Sequence, residues 1–127
     1  MQEGLTTVFI VDDSPVVRER LSSMISELSN VNIVGQADIA FEAIESIRKL
    51  NPEVVVLDIS MPGGNGLYVL EMIRKHSVKA LVLMLTNFGH EQYRQKCLQL
   101  GADYFFDKST EFEQVIEVLK GVRRPAH

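Results

Sequence analysis

The chain holds a single cysteine, Cys97, so it can form no internal disulfide, and nothing points to the oxidising compartments where small domains depend on such bridges. No apolar run is long enough to cross a bilayer, and the amino terminus lacks the basic and apolar regions of a secretory leader. The expectation is a cytoplasmic protein without membrane association. Positive charge is also scarce: 13 lysines and arginines stand against 17 aspartates and glutamates, a net charge of −4. The basic clusters, Arg74-Lys75 and Arg123-Arg124, are too short for a nucleic-acid footprint, so this segment is not expected to bind DNA or RNA. A glycine-rich phosphate loop is missing as well. GGNG at 63–66 has neither the G-x-G-x-x-G spacing nor the lysine-serine pair of a P-loop, and its glycines read as a tight turn before a helix. Cys97 reads as a residue on a helix face, since no base is indicated beside it.

What is present is the composition of one globular domain: 127 residues, 46% apolar and 24% charged. Apolar runs at 8–11, 31–34, 54–57, 80–85 and 104–106 read as five strands. Most lack polar alternation, as expected of parallel strands covered on both faces. Between them come helical spacings. Val17, Leu21, Met24, Ile25 and Leu28 share one face, as do Ala40, Ala43, Ile44 and Ile47, then Leu67, Leu70 and Ile73. A more polar helix over 91–100 is stopped by Gly101, and Phe112, Val115, Ile116 and Leu119 line a fifth. Ser14-Pro15 suits an N-cap followed by an N1 proline, and Thr110 with Glu113 has the spacing of a capping box. Five βα units joined by short connections predict an α/β fold, a three-layer α/β/α sandwich with a five-stranded parallel sheet. Residues 1–122 read as one domain and 123–127 as a tail or the start of a linker.

Ligands of such sheets sit outside the carboxyl ends of the strands. The first strand ends in Asp12-Asp13, the third in Asp58, the fourth in Thr86 and the fifth in Asp107-Lys108. Three carboxylates on one rim repel each other unless a cation intervenes, and one lysine is poor compensation. A hard divalent cation such as Mg2+ suits an all-oxygen site. Metal, lysine and hydroxyl together are what a phosphoryl group needs, and an aspartate can itself be the nucleophile that takes it. Asp58, after a buried run and before a turn, is the candidate.

The segments VDDS at 11–14, VLDISMPGGNGL at 56–67, LMLT at 83–86 and GADYFFDKS at 101–109 resemble, in this order, the receiver domain of two-component response regulators. The resemblance covers nearly the whole chain. It implies a flavodoxin-like strand order of 2-1-3-4-5, with Asp58 as the phosphate acceptor and Asp12 and Asp13 as the acidic pocket. It further implies the main-chain carbonyl of Ser60 as a metal ligand, Lys108 as the phosphate-pairing lysine, Thr86 as the switch hydroxyl and Phe105 as the switch aromatic. The implied partners are a histidine kinase or phosphotransfer protein upstream. Downstream comes an effector domain or protein, or self-association through the fourth helix, fifth strand and fifth helix, with the face around Tyr104 and Phe106 making the contact. Such a domain is a phospho-accepting switch rather than an enzyme.

Two departures from the common pattern stand out. Lys108 is followed by Ser109 where many receivers carry proline, which removes the usual ground for a cis peptide bond there. Thr86 is followed by Asn87 and Phe88, bulkier than usual. The resemblance places Ser60 and Phe88 beside the path of an attacking water; serine is short and phenylalanine offers bulk but no group to orient a water, so slow loss of the phosphoryl group is expected. Competing readings are a haloacid-dehalogenase-type phosphatase or phosphotransferase, and a degenerate receiver that only binds partners. The first needs a second aspartate two residues after the nucleophile, where this chain has Ser60. The second is at odds with the full acidic pocket and its lysine.

Overall fold

The computed structural model describes residues 4–61, 64–87 and 91–122, with Ser60, Gly64 and Asn65 described by backbone alone. Strands β1 (Thr6–Val11), β2 (Val31–Ala37), β3 (Val54–Leu57), β6 (Leu81–Thr86) and β7 (Tyr104–Asp107) form one parallel sheet in the order β2-β1-β3-β6-β7. Counted within the sheet alone this is 2-1-3-4-5, the expected order. The remaining two strands, β4 (Ser60–Met61) and β5 (Gly64–Asn65), make a small antiparallel hairpin. The sequence reading treated that stretch as a turn. Pairs of two residues are too short to show a period of two, so no apolar pattern announces them.

Among the described residues five helices fill the gaps: α1 (Pro15–Ser26), α2 (Ala40–Leu50), α3 (Gly66–Lys75), α4 (Glu91–Gln99) and α5 (Phe112–Gly121). The period of the strands sorts the core into two layers. Val8 and Ile10 of β1 join Leu21 and Ile25 of α1 and Phe112, Val115, Ile116 and Leu119 of α5 on one side. Phe9 and Val11 join Ala43, Ile44 and Ile47 of α2, Leu70 and Ile73 of α3 and Cys97 of α4 on the other. The same alternation would place polar residues outward in a one-sided sheet; here both faces are apolar because helices cover both. Cys97 is 0% exposed, and burial pushes its thiol up to about 11. It is therefore a packing residue with no thiolate at neutral pH.

Local punctuation agrees with the sequence at two helix ends and differs at a third. The Ser14 hydroxyl accepts from the Val17 N–H at 3.2 Å with Pro15 opening α1. Gly101, at φ +107°, ends α4 while the Ala102 N–H reaches back to the Cys97 carbonyl at 2.9 Å. The capping box of Thr110 with Glu113 does not form. Glu111 occupies the N-cap position of α5 without a side-chain cap bond. Its N–H is already taken by the Asp107 carbonyl at 2.7 Å, and its carboxylate turns back to accept the Asp107 N–H at 3.0 Å. Side-chain demand at the end of β7 wins over capping.

Candidate functional site

The sheet ladder continues past the strand ends and carries the polar residues with it. The Asp12 N–H donates to the Ala37 carbonyl at 3.1 Å, the Asp58 N–H to Val11 at 3.0 Å, and the Lys108 N–H to Thr86 at 2.9 Å. Asp12, Asp58 and Thr86 are thereby held at one rim, 2%, 3% and 0% exposed, while Asp13 faces solvent. Asp12 also shapes the turn into α1. Its Oδ1 accepts the Ser14 N–H at 2.9 Å, and its carbonyl accepts from Arg18 Nη1 at 2.6 Å.

At the end of β7, Asp107 Oδ1 accepts both the Ser109 N–H at 2.8 Å and the Ser109 hydroxyl at 2.5 Å. The Ser109 hydroxyl and amide hold the Asp107 carboxyl below the usual carboxylate range. This local turn brackets Lys108 without a proline. No peptide bond among the described residues is cis, so Lys108–Ser109 is trans.

Lys108 Nζ lies 2.8 Å from Asp12 Oδ2 and 3.3 Å from Asp58 Oδ2. Burial works to lower the pKa of this ammonium, but its hydrogen bond to Asp12 and the charges of Asp58 and Asp12 outweigh burial and raise it. Carboxylate oxygens of Asp12, Asp13 and Asp58 lie within 4.8 Å of one another. Three anionic groups facing one cation leave the cluster with an excess of negative charge, most of it shielded from water. The donors are all hard oxygens, with no thiolate or imidazole among them, so the set fits a hard divalent cation rather than a soft transition metal.

The sequence reading missed one residue of this architecture. Gly66 opens α3, and a Cβ there would sit 1.9 Å from the Asp58 carbonyl oxygen. Its N–H donates to the Ile59 carbonyl at 2.7 Å. The glycine was read as part of a turn; what it permits is the closest approach of a helix to the backbone of Asp58. The residue type was a usable signal, but the contact is tertiary.

The two residues expected to form the switch are placed as follows. Thr86 is wholly buried at the end of β6. Phe105 is already inside the core, 3% exposed, with the Arg94 guanidinium 5.1 Å from its ring centroid. The face expected to meet partners is more limited than the sequence implied: Tyr104 is 40% exposed, whereas Phe106 is buried and stacks on it at 5.7 Å. Phe88, on which the expectation of slow phosphoryl loss rests, lies outside the described residues, and the Ser60 carbonyl sits in the β4 backbone.

Residues 8–120 match the response regulator receiver domain family. The chain belongs to this family. It is 31% identical over 113 residues to the nitrate/nitrite response regulator protein NarL of Escherichia coli K12, covering 89% of this chain and 52% of that protein. The chain spans about half the length of the curated relatives it matches. Among solved structures, the signal receiver domain of the response regulator NarL from Mycobacterium tuberculosis superposes with a TM-score of 0.82 at 30% identity, covering 94% of this chain and 99% of that one. A chain of the CheX–CheY–BeF3–Mg2+ complex from Borrelia burgdorferi gives a TM-score of 0.78 at 30% identity, covering 89% and 88%. This receiver domain is thus a signalling domain of two-component response regulators, and the haloacid-dehalogenase reading is set aside. None of the described helices is long and apolar enough to cross a membrane.

Proposed function

We propose that this receiver accepts a phosphoryl group on Asp58 from a histidine kinase or phosphotransfer protein in the cytoplasm, with Mg2+ bound, and relays the change to an effector. The observation that carries the reading is the largely covered Lys108 ammonium shared between Asp12 and Asp58 beside a third carboxylate. The similarity to a chain solved in complex with BeF3 and Mg2+ supports it.

In this reading Asp58 attacks phosphorus from the end of β3, the bond to the donor breaks on the opposite side, and an acyl phosphate forms. Lys108 transfers part of its contact from the carboxylates to a phosphoryl oxygen. Asp13, Asp58 and the Ser60 carbonyl would hold the metal, with Asp12 acting partly through water; Mg2+ bound by them would supply the positive charge that a phosphoryl group needs. Thr86 donates its hydroxyl to a phosphoryl oxygen, a charge-assisted bond of about 1.5–3 kcal/mol that biases the packing of β6, β7 and α4. Because Phe105 is already inward, its repacking against Arg94, rather than an inward swing, is the proposed response. Output runs through α4, β7 and α5, to an effector or to a second copy of the domain. The domain is assigned to residues 1–122; the tail at 123–127 lies outside the described residues.

Incubation with Mg2+ and a small phosphodonor should add one phosphoryl group, released by hydroxylamine and blocked by a chelator. A hydroxylamine-resistant label, or a label mapped away from Asp58, rules the reading out. Asp13→Asn should weaken Mg2+ about tenfold, the effect of removing one nearby charge. The metal-free melting temperature should stay level or rise, because like-charge repulsion is relieved. Isothermal titration reads the first and a thermal melt the second; unchanged Mg2+ affinity removes Asp13 from the ligand set.

A further inference from the structure

The cavity above the site, about 440 Å³, is lined not only by Asp13, Asp58 and Lys108 but also by Arg20 and Phe112. Arg20 lies on α1, facing the start of α5, where its guanidinium carbon is 4.0 Å from the centre of the Phe112 ring. It is exposed. Among the described residues no carboxylate forms an ion pair with it. Lys108, by contrast, is fully engaged on the cavity floor. The cavity therefore has two cations with different duties: one held against the nucleophile, and one on the wall resting on an aromatic face, which orients the guanidinium and partly desolvates it.

We infer that Arg20 selects the phosphodonor by the charge of its leaving group and favours acyl phosphates. The inference rests on Asp58 being the acceptor. In an in-line displacement the leaving group departs opposite the attacking oxygen. Asp58 shares its cavity with Arg20 of α1 and Phe112 at the start of α5, so the inference sends the leaving group out toward that wall. For an acyl phosphate the P–O bond breaks, its electron pair stays on the oxygen, and a carboxylate leaves without needing a proton. A guanidinium matches a carboxylate with two parallel N–H donors. Negative charge on that oxygen grows as the bond breaks, so the contact strengthens along the reaction and speeds it rather than only tightening binding. For phosphoramidate the P–N bond breaks, the already protonated nitrogen keeps the electron pair, and neutral ammonia leaves. Arg20 then has no developing charge to meet, while Lys108 serves the phosphoryl oxygens of both donors alike.

The test measures second-order rate constants for labelling by acetyl phosphate and by phosphoramidate, with Mg2+, on the whole chain and on Arg20→Met and Arg20→Lys. The ratio of the acetyl phosphate constant to the phosphoramidate constant should fall about tenfold in Arg20→Met, the scale of one charge-assisted contact made as charge develops. Arg20→Lys should restore part of it, since a lysine keeps the charge and loses the paired donors. A ratio unchanged in Arg20→Met overturns the role of Arg20, whether both constants fall together or neither does. Failure of both donors to label the parent chain overturns the reading of Asp58 and this inference with it, and a parent chain labelled faster by phosphoramidate than by acetyl phosphate overturns this inference alone.

Discussion

Asp58→Asn is expected to abolish Mg2+-dependent phosphoryl incorporation, a fall of at least about a thousandfold, because the amide that replaces the carboxylate is no nucleophile toward phosphorus. The loss should come without unfolding. Asparagine has nearly the same shape, and the Asp58 backbone stays tied to Val11 through its N–H. Two electrostatic effects oppose each other. The 3.3 Å contact from Lys108 to Asp58 is weakened, but the ammonium keeps Asp12 at 2.8 Å. At the same time one of three crowded carboxylates is removed, which relieves repulsion. Stability should therefore move by no more than about 1 kcal/mol, far less than the 3–5 kcal/mol typical of leaving a buried charge without any partner. Phosphoryl incorporation followed by mass, together with a thermal melt, separates the outcomes. Undiminished labelling of the variant contradicts the assignment, and gross unfolding contradicts the account of Lys108.

Much of this architecture is legible in the sequence because it depends on periodicity. The helix face of Ala40, Ala43, Ile44 and Ile47, and that of Phe112, Val115, Ile116 and Leu119, are buried as the spacing predicts. The strand ends follow from the same pattern, since a polar residue after an apolar run marks where a buried strand emerges. So Asp12, Asp13, Asp58, Thr86 and Lys108 could be placed on one rim before any coordinates. What the pattern does not carry are single contacts from one element to another, whether near or far along the chain. The capping spacing of Thr110 and Glu113 is a local rule, and it yields because Glu111 is drawn to Asp107. The packed state of Phe105 depends on α4 and Arg94, not on its own neighbours in the chain. Arg20 looks like an ordinary surface residue of an amphipathic helix until Phe112 is placed beneath it. Each miss is a residue whose partner lies in another element.

Gly66 is the sharpest such case, and its substitution decides between a local and a tertiary account. Helix propensity alone favours Gly66→Ala, by up to about 1 kcal/mol, since alanine loses less conformational freedom at a helical position. The contacts say the opposite. An added Cβ would lie 1.9 Å from the Asp58 carbonyl oxygen, 2.7 Å from its carbonyl carbon and 2.9 Å from the Ile59 Cα. All three are backbone atoms, so no side chain can rotate away. Either α3 lifts from the sheet, breaking the Gly66 N–H bond to Ile59, or the end of β3 shifts. Overpacking of well-packed sites costs about 1–3 kcal/mol, and rigid backbone on the far side puts this one at the upper end or beyond. The net expectation is a loss of at least about 2 kcal/mol. Function should suffer in the same variant even at temperatures where it stays folded. A displacement near 1 Å of the nucleophile can cost about a hundredfold in rate, and the Ser60 carbonyl proposed for the metal follows directly on the displaced segment. The control is Gly121→Ala at the end of α5, where an added Cβ meets nothing within 4 Å. There propensity acts alone, and stability should rise by a few tenths of a kcal/mol to about 1 kcal/mol. Denaturant melts and labelling rates on both variants give the answer. If Gly66→Ala is as stable and as fast as the parent, the close approach of α3 to the Asp58 backbone does not constrain this position.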